Sequence, residues 1–252
     1  MKNNFSNKKP SRRQFLAGAA ALSAGSAAAT SASSNGDPLI TEVQDWAQST
    51  GDGVDATPYG LPIEFEKDVV RRNVEWLTAD TISSINFTPI HALDGTITPQ
   101  GCAFERHHSG AIELRKEDYR LMINGLVDQE LIFTYEDLER FPREQHVYFC
   151  ECAANTGMEW AGAQLNGVQF THGMIHNMEY TGVPLRTLLN EAGLNALGDL
   201  SGKWVFVEGA DASSNGRSIP IEKALDDVLV AFKANGEALR KEHGYPVRLV
   251  VP

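Results

Sequence analysis

The chain has 252 residues, 42% of them hydrophobic, and a formal net charge of −11, enough for one large globular domain or two small ones. Its first 29 residues hold the cations Lys2, Lys8, Lys9, Arg12 and Arg13 and no acid, so the remainder is more acidic still; nucleic acid is excluded as an expected partner, because phosphate binding requires the opposite sign. Three cysteines cannot all pair, so no disulfide framework is implied.

In chain order, Ser11-Arg12-Arg13-Gln14-Phe15-Leu16 followed by an alanine-rich run with Ala-x-Ala options at 27–29 reads as a twin-arginine export signal over residues 1–29. Its apolar stretch is shorter than the roughly 20 residues that span a bilayer, so the expectation is a periplasmic protein with no membrane span. Residues 30–62, rich in Ser, Gly, Asp and Pro, read as a linker or irregular arm. Residues 63–252 read as the globular domain. The spacing of Phe65, Val69, Val70, Val74 and Leu77 predicts a helix over 63–79.

Phe104-Glu105-Arg106-His107-His108 packs two imidazoles and a guanidinium around one aromatic. Such a cluster suits an anion: Arg offers a planar fork of donors, and neutral His adds one more. Tyr119, Leu121 and Ile123 alternate ahead of Asn124-Gly125, which predicts a strand. Thr134 with Asp137 three residues later predicts a capping box opening a helix over 135–140.

Tyr148-Phe149-Cys150-Glu151-Cys152-Ala153-Ala154-Asn155-Thr156 holds two of the three cysteines in a predicted strand. His146, Tyr148, Cys150 and Cys152 share one face of it, and the run then breaks into small residues and Asn155, as where a strand gives way to a site loop. Two readings stay open on residue type alone, cysteine as a small buried hydrophobe or as a soft-metal ligand. His172 and His176 are four apart, but the Glu of a zinc-protease helix is missing and Gly173 argues against a helix, so no metal site is expected there. Thr181-Gly182-Val183-Pro184 leads into a helix through Leu185, Leu188 and Leu189 to Gly193. Strands over 203–208, 228–232 and 246–251, with a helix over 220–226, complete a mixed α+β domain.

Glu151-Cys152-Ala153-Ala154-Asn155 resembles the Cys-Ala-Gly-Asn segment of sulfite-oxidase-type molybdenum enzymes, with Cys152 the matching cysteine and Cys150 a structural neighbour. Segment 104–108 resembles that family's Phe-x-Arg-x-His. Glu208-Gly209-Ala210-Asp211 and His243-Gly244-Tyr245-Pro246-Val247-Arg248 resemble its Glu-Gly-x-Asp and His-Gly-Phe-Pro-Val-Arg. The resemblance implies a sulfite-oxidase-type molybdopterin-binding domain carrying molybdenum on the dithiolene of a single pterin. It implies Cys152 as metal ligand and catalytic residue, and Phe104, Glu105, Arg106, His107, His108, Asp211, His243 and Arg248 as cofactor-binding residues. Arg106 also faces the substrate pocket in the family and is the second catalytic residue expected.

Gly162-Ala163-Gln164-Leu165-Asn166-Gly167, Thr171-His172-Gly173-Met174-Ile175-His176 and Ile219-Pro220-Ile221-Glu222-Lys223-Ala224-Leu225 are most similar to the sulfane-dehydrogenase branch of the family. That branch implies oxidation of sulfane sulfur on a carrier protein, with electrons leaving through a c-type cytochrome. The chain has no Cys-x-x-Cys-His, so the haem is expected on the partner. Two departures stand out. Asn155 is followed by Thr156 and Gly157 where sulfite oxidases carry paired arginines. The chain also ends on an apolar strand, ahead of the C-terminal β-sandwich domain through which family members dimerise, so it reads as a fragment. Sulfite dehydrogenase is the alternative within the family; an exported copper- or soft-metal-binding protein is the alternative from another class.

Overall fold

The computed structural model describes residues 50, 60–73, 82, 84–194 and 198–252; the expected export signal and most of the expected arm lie outside the described residues. Two units, Met1–Thr57 and Pro58–Pro252, divide the chain, and every element below belongs to the second.

Glu64–Glu66 form a single 3-10 turn, and Arg72–Asn73 (β1) then pairs antiparallel with Asn86–Phe87 (β2). The helix expected over 63–79 is therefore absent from its described part; residues 74–79 lie outside the described residues. The physical reason is exposure: Phe65 is 89% and Val70 50% exposed. An apolar stripe with no core behind it lacks the packing from which short helices draw most of their stability.

Arg120–Ile123 (β3) and Leu131–Thr134 (β4) form an antiparallel hairpin that runs directly into Tyr135–Arg140 (α1). The expected capping box is present: the Asp137 N–H donates to Thr134 Oγ1 at 3.1 Å and the Thr134 N–H to Asp137 Oδ2 at 2.9 Å. Glu144–Glu151 (β5) follows, with Glu144, His146, Tyr148 and Cys150 half-buried and the residues between them exposed, which is the expected period-2 face. Val168–His172 (α2) ends at Gly173. A Cβ there would meet the Gln169 carbonyl at 2.1 Å and the Thr88 carbonyl at 2.9 Å, so only glycine admits this approach.

Ile175–Pro184 (β6) is the central strand. It pairs with β5 over eight residues, including Cys150 with His176, Tyr148 with Met178 and His146 with Tyr180. Thr181 to Pro184, expected as the run-in to a helix, are its last four residues, and Leu185–Glu191 (α3) begins immediately after them. Trp204–Glu208 (β7) and Gly216–Pro220 (β8) form a ribbon continued by Ile221–Asp226 (α4). Leu229–Ala234 (β9) pairs with β6, with a register break between Thr181 and Gly182. The far edge of β9 carries Glu237–Ala238 (β10) and Arg248–Val250 (β11), both antiparallel.

The sheet thus separates two apolar regions. One is the main core, in which Leu138 of α1, Leu188 of α3 and Ala224 of α4 pack with Val183 and Phe232. On the other side lie a cluster of Met178, Tyr180, Leu229, Ala231 and Val250 with Ala103, and a smaller one of Ile85, Phe87, Phe104 and Met174. The architecture is mixed α+β, as expected.

Candidate functional site

β5 delivers both cysteines to the smaller cluster. Cys150 and Cys152, each half-buried and free, pack against Ile85, Phe87, Phe104 and Met174. Cys152 is the first residue beyond the strand, where its N–H donates to the Met174 carbonyl at 3.0 Å. The loop that follows is pinned by Asn155, which is buried. Its Nδ2 donates to Glu151 Oε1 at 3.0 Å and its Oδ1 accepts the Met174 N–H at 3.1 Å. Thr156 has a left-handed backbone, φ 63°, and its N–H donates to the Thr171 carbonyl at 2.9 Å. A thiol thus stands at a strand end on a loop whose backbone is held from both sides.

Segment 104–108 approaches from across this cluster. The Phe104 N–H donates to Thr88 Oγ1 at 2.9 Å, and its ring lies 5.0 Å from the His176 ring. Glu105 does not face outward: Asn86 Nδ2 donates to its Oε1, its own N–H donates to Asn86 Oδ1 at 2.8 Å, and its Oε2 lies 3.0 Å from His107 Nε2 and 3.6 Å from Arg71 Nη1. Burial pushes the Glu105 carboxyl up, but the His107 hydrogen bond and the Arg71 charge outweigh it and hold the group below the usual carboxylate range. Arg106 and His108 are exposed, and the Arg106 guanidinium donates to the His107 carbonyl.

The two later segments join the same region. His243 Nε2 lies 3.2 Å from the Phe104 carbonyl oxygen. A carbonyl can only accept, so Nε2 carries the proton and Nδ1 is left with a lone pair. The His243 ring sits 5.9 Å from that of His176. Arg248 donates through Nη1 to the His243 carbonyl at 3.3 Å and lies over the Tyr180 ring at 5.9 Å. Asp211 accepts from Ser109 Oγ at 3.2 Å and from Ser213 Oγ at 2.7 Å, which ties its segment to the chain just beyond His108. The Ser213 hydrogen bond is the largest cause of a lowered Asp211 pKa.

His176 and Tyr180 are the residues that motif reading did not single out for this region. Both are buried on β6, with His176 Nε2 2.9 Å from the Tyr180 hydroxyl. Burial, then the nearby Arg248 charge, lowers the pKa of His176 to about 3 and that of His243 to about 4. Both imidazoles are therefore neutral near pH 7, and the Nδ1 atom of each is buried without a hydrogen-bond partner among the described residues. The available signal was the alternation of His176, Met178 and Tyr180, obscured because its first member is polar. His172, by contrast, ends α2 half-exposed, 4.0 Å from Glu159, and Gly173 closes that helix ahead of His176.

Comparison with known proteins gives this arrangement a family. Residues 108–252, more than half of the chain, match the model described as the oxidoreductase molybdopterin binding domain. The crystal structure of the sulfane dehydrogenase SoxCD from Paracoccus pantotrophus is 71% identical with a TM-score of 0.77, over 86% of this chain and 55% of that one. Mitochondrial sulfite oxidase of Mus musculus is 34% identical over 63% of this chain and 30% of its own length. Inducible nitrate reductase 2 of Glycine max is likewise 34% identical, over 63% of this chain and 19% of its own length. The chain thus spans about a third or less of these curated relatives and about half of the structural one. It belongs to the oxidoreductase molybdopterin-binding domain family, in its sulfite-oxidase type.

Proposed function

We propose that the chain is the cofactor-binding part of a periplasmic molybdenum oxidoreductase that oxidises sulfane sulfur presented on a carrier protein and passes the electrons to a c-type cytochrome. The observation that carries this reading is the 71% identity, over 86% of the chain, with the sulfane dehydrogenase of Paracoccus pantotrophus. The residues fit a single-pterin molybdenum group. One half-buried thiol stands at a strand end, and among the described residues no three His, Cys, Asp or Glu side chains gather to hold a bare ion. That donor set suits a metal arriving with most of its ligands already attached, and it offers the soft-metal alternative no cluster. The Nδ1 atoms of His176 and His243 are buried with no hydrogen-bond partner among the described residues, and a polar bound group beside them would supply one.

In this reading Cys152 supplies the protein's ligand to molybdenum. Phe104, Arg106, His107, His108, Asp211, His243 and Arg248 hold the pterin and its phosphate, Glu105 fixes His107, and Arg106 also orients an anionic substrate through its planar fork of donors. When bound, the group supplies two-electron chemistry and oxygen transfer from water, which side chains cannot. The acidic chain, −11 overall, suits a cationic electron carrier. Among the described residues no helix is long and apolar enough to cross a membrane; export rests on Arg12 and Arg13 within residues 1–29. Molybdenum and pterin analysis of the whole protein, followed by kinetics with its cytochrome, tests the reading. A protein with neither molybdenum nor pterin overturns it.

Sulfite is the second substrate to consider, favoured by the likeness to mouse sulfite oxidase. A small dianion calls for several converging cations, each charge-assisted hydrogen bond contributing roughly 1.5–3 kcal/mol, and position 157 offers none. A side chain there has room, since a Cβ on Gly157 would meet only Trp160 Cε2 at 3.9 Å. Carrier-bound sulfane sulfur is therefore expected to show the higher kcat/KM, and Gly157→Arg to narrow the gap by favouring sulfite. Preference of the wild-type protein for sulfite, unmoved by Gly157→Arg, assigns it as a sulfite dehydrogenase.

A further inference from the structure

Arg71 lies ahead of the family match and of every segment proposed to hold the cofactor, yet it contacts one of those segments and the residue immediately before another. Its Nη1 is 3.6 Å from Glu105 Oε2 and its Nη2 3.1 Å from Glu242 Oε1; Nη1 also donates to the Ala103 carbonyl at 3.4 Å. Glu105 belongs to segment 104–108, and Glu242 immediately precedes His243. The three side chains are only 19%, 16% and 15% exposed, so solvent screens them far less than a surface pair. We propose that Arg71 is a positioning residue, an ionic strut that holds segment 104–108 against segment 243–248 and thereby sets how firmly the cofactor is retained.

The argument is one of charge and of alternatives. Glu105 and Glu242 share a single guanidinium, so without it two mostly buried carboxylates lose the cation they hold in common. Breaking a buried pair from one side leaves an uncompensated charge, which such sites tolerate least. Glu105 keeps Asn86 and His107 as partners, whereas among the described residues Arg71 is the partner of the Glu242 carboxylate, so the strain falls on the Glu242–His243 side. The hydrogen bond between His243 Nε2 and the Phe104 carbonyl is then left to tie the two segments directly. Arg is suited to the task because its planar fork reaches both acids at once, which an ammonium point charge does less well.

This inference rests on the proposed function, and the test separates the two. The complete protein is purified with its cofactor, and molybdenum loss from the folded protein is followed by elemental analysis after dilution, beside thermal unfolding. Arg71→Met is expected to lose molybdenum about tenfold faster than wild type, as befits a broken mostly buried pair, and Arg71→Lys to restore only part of the retention. Glu242→Gln should speed loss as well, and Arg71→Met combined with Glu242→Gln should be no worse than Arg71→Met alone, since the two changes remove one interaction. A merely structural role lowers the unfolding midpoint but leaves the folded fraction's retention unchanged. That result, or multiplicative effects in the double variant, overturns the strut while leaving the cofactor assignment intact. If Arg71→Met does not fold, Glu242→Gln and Arg71→Lys carry the same comparison. Wild-type protein without molybdenum or pterin defeats the proposed function and this inference with it.

Discussion

Cys150 and Cys152 differ by two residues and by everything that matters for a ligand. Cys150 lies within β5, its backbone locked in register with His176, whereas Cys152 stands beyond the strand on the loop pinned by Asn155. Cys152→Ser is expected to give a folded protein with little activity and little molybdenum, because a hard oxygen replaces a soft sulfur donor; Cys150→Ser should keep both. Metal content and turnover of the two variants check this, and the reverse ranking removes Cys152 as the ligand. At this scale the motif residues were visible as candidates because each motif is short and carries its chemistry in adjacent side chains. His176, Tyr180 and Arg71 were not. A buried histidine in a strand reads as a polar interruption, and Arg71 acts on partners 34 and 171 positions away, a separation no local pattern reveals.

Elements were legible where their own ends specify them. Thr134 and Asp137 stop β4 and start α1 through two reciprocal hydrogen bonds, a device confined to four residues. Thr134→Ala is expected to lower stability by about 1 kcal/mol, the usual cost of an N-cap, with Thr134→Ser recovering most of it. Denaturant midpoints at a common m-value check this, and an unchanged midpoint would mean that packing of Tyr135 and Leu138 holds the helix without its cap. Elements that depend on distant partners were misread. The stripe from Phe65 to Leu77 has helical spacing, but its described part finds no core, and β1 pairs with β2 instead. β6 was missed in its middle although Asn177 and Glu179 alternate with buried His176, Met178 and Tyr180, because the buried set opens on a polar histidine. Its last four residues were read as a lead-in to α3. There Gly182 serves the sheet: a Cβ would sit 2.2 Å from the Val230 carbonyl, so the glycine marks close approach of two strands rather than a turn.

For the molecule as a whole, acid stability is governed by two opposing charge effects. The chain carries −11 at neutral pH, and lowering the pH relieves that self-repulsion, a diffuse stabilisation weakened by salt screening. His176 and His243 act the other way. Their folded pKa values lie at about 3 and about 4, below the ordinary histidine value of about 6.5 in an unfolded chain. Above about pH 6.5 both states hold these imidazoles neutral, and their titration costs the fold nothing. As pH falls below that point the unfolded chain takes up protons that the native state refuses, and stability drops by up to about 1.4 kcal/mol per pH unit for each histidine. The loss continues until the native groups themselves titrate, near pH 4 for His243 and near pH 3 for His176. Glu105, whose folded pKa is lowered, adds its own loss only below the carboxylate range. The two localised histidines should outweigh the screened surface term at moderate ionic strength. Unfolding free energy at about 0.15 M salt, a concentration that screens charges beyond about 8 Å, should therefore fall steadily between pH 6.5 and 4.5. Substituting His176 with Gln should flatten that slope to roughly half, because one of the two proton uptakes is removed. A stability profile level from pH 6.5 to 5, declining only where carboxylates titrate, would show that neither imidazole is held neutral and that the fold beside Cys152 is open to water.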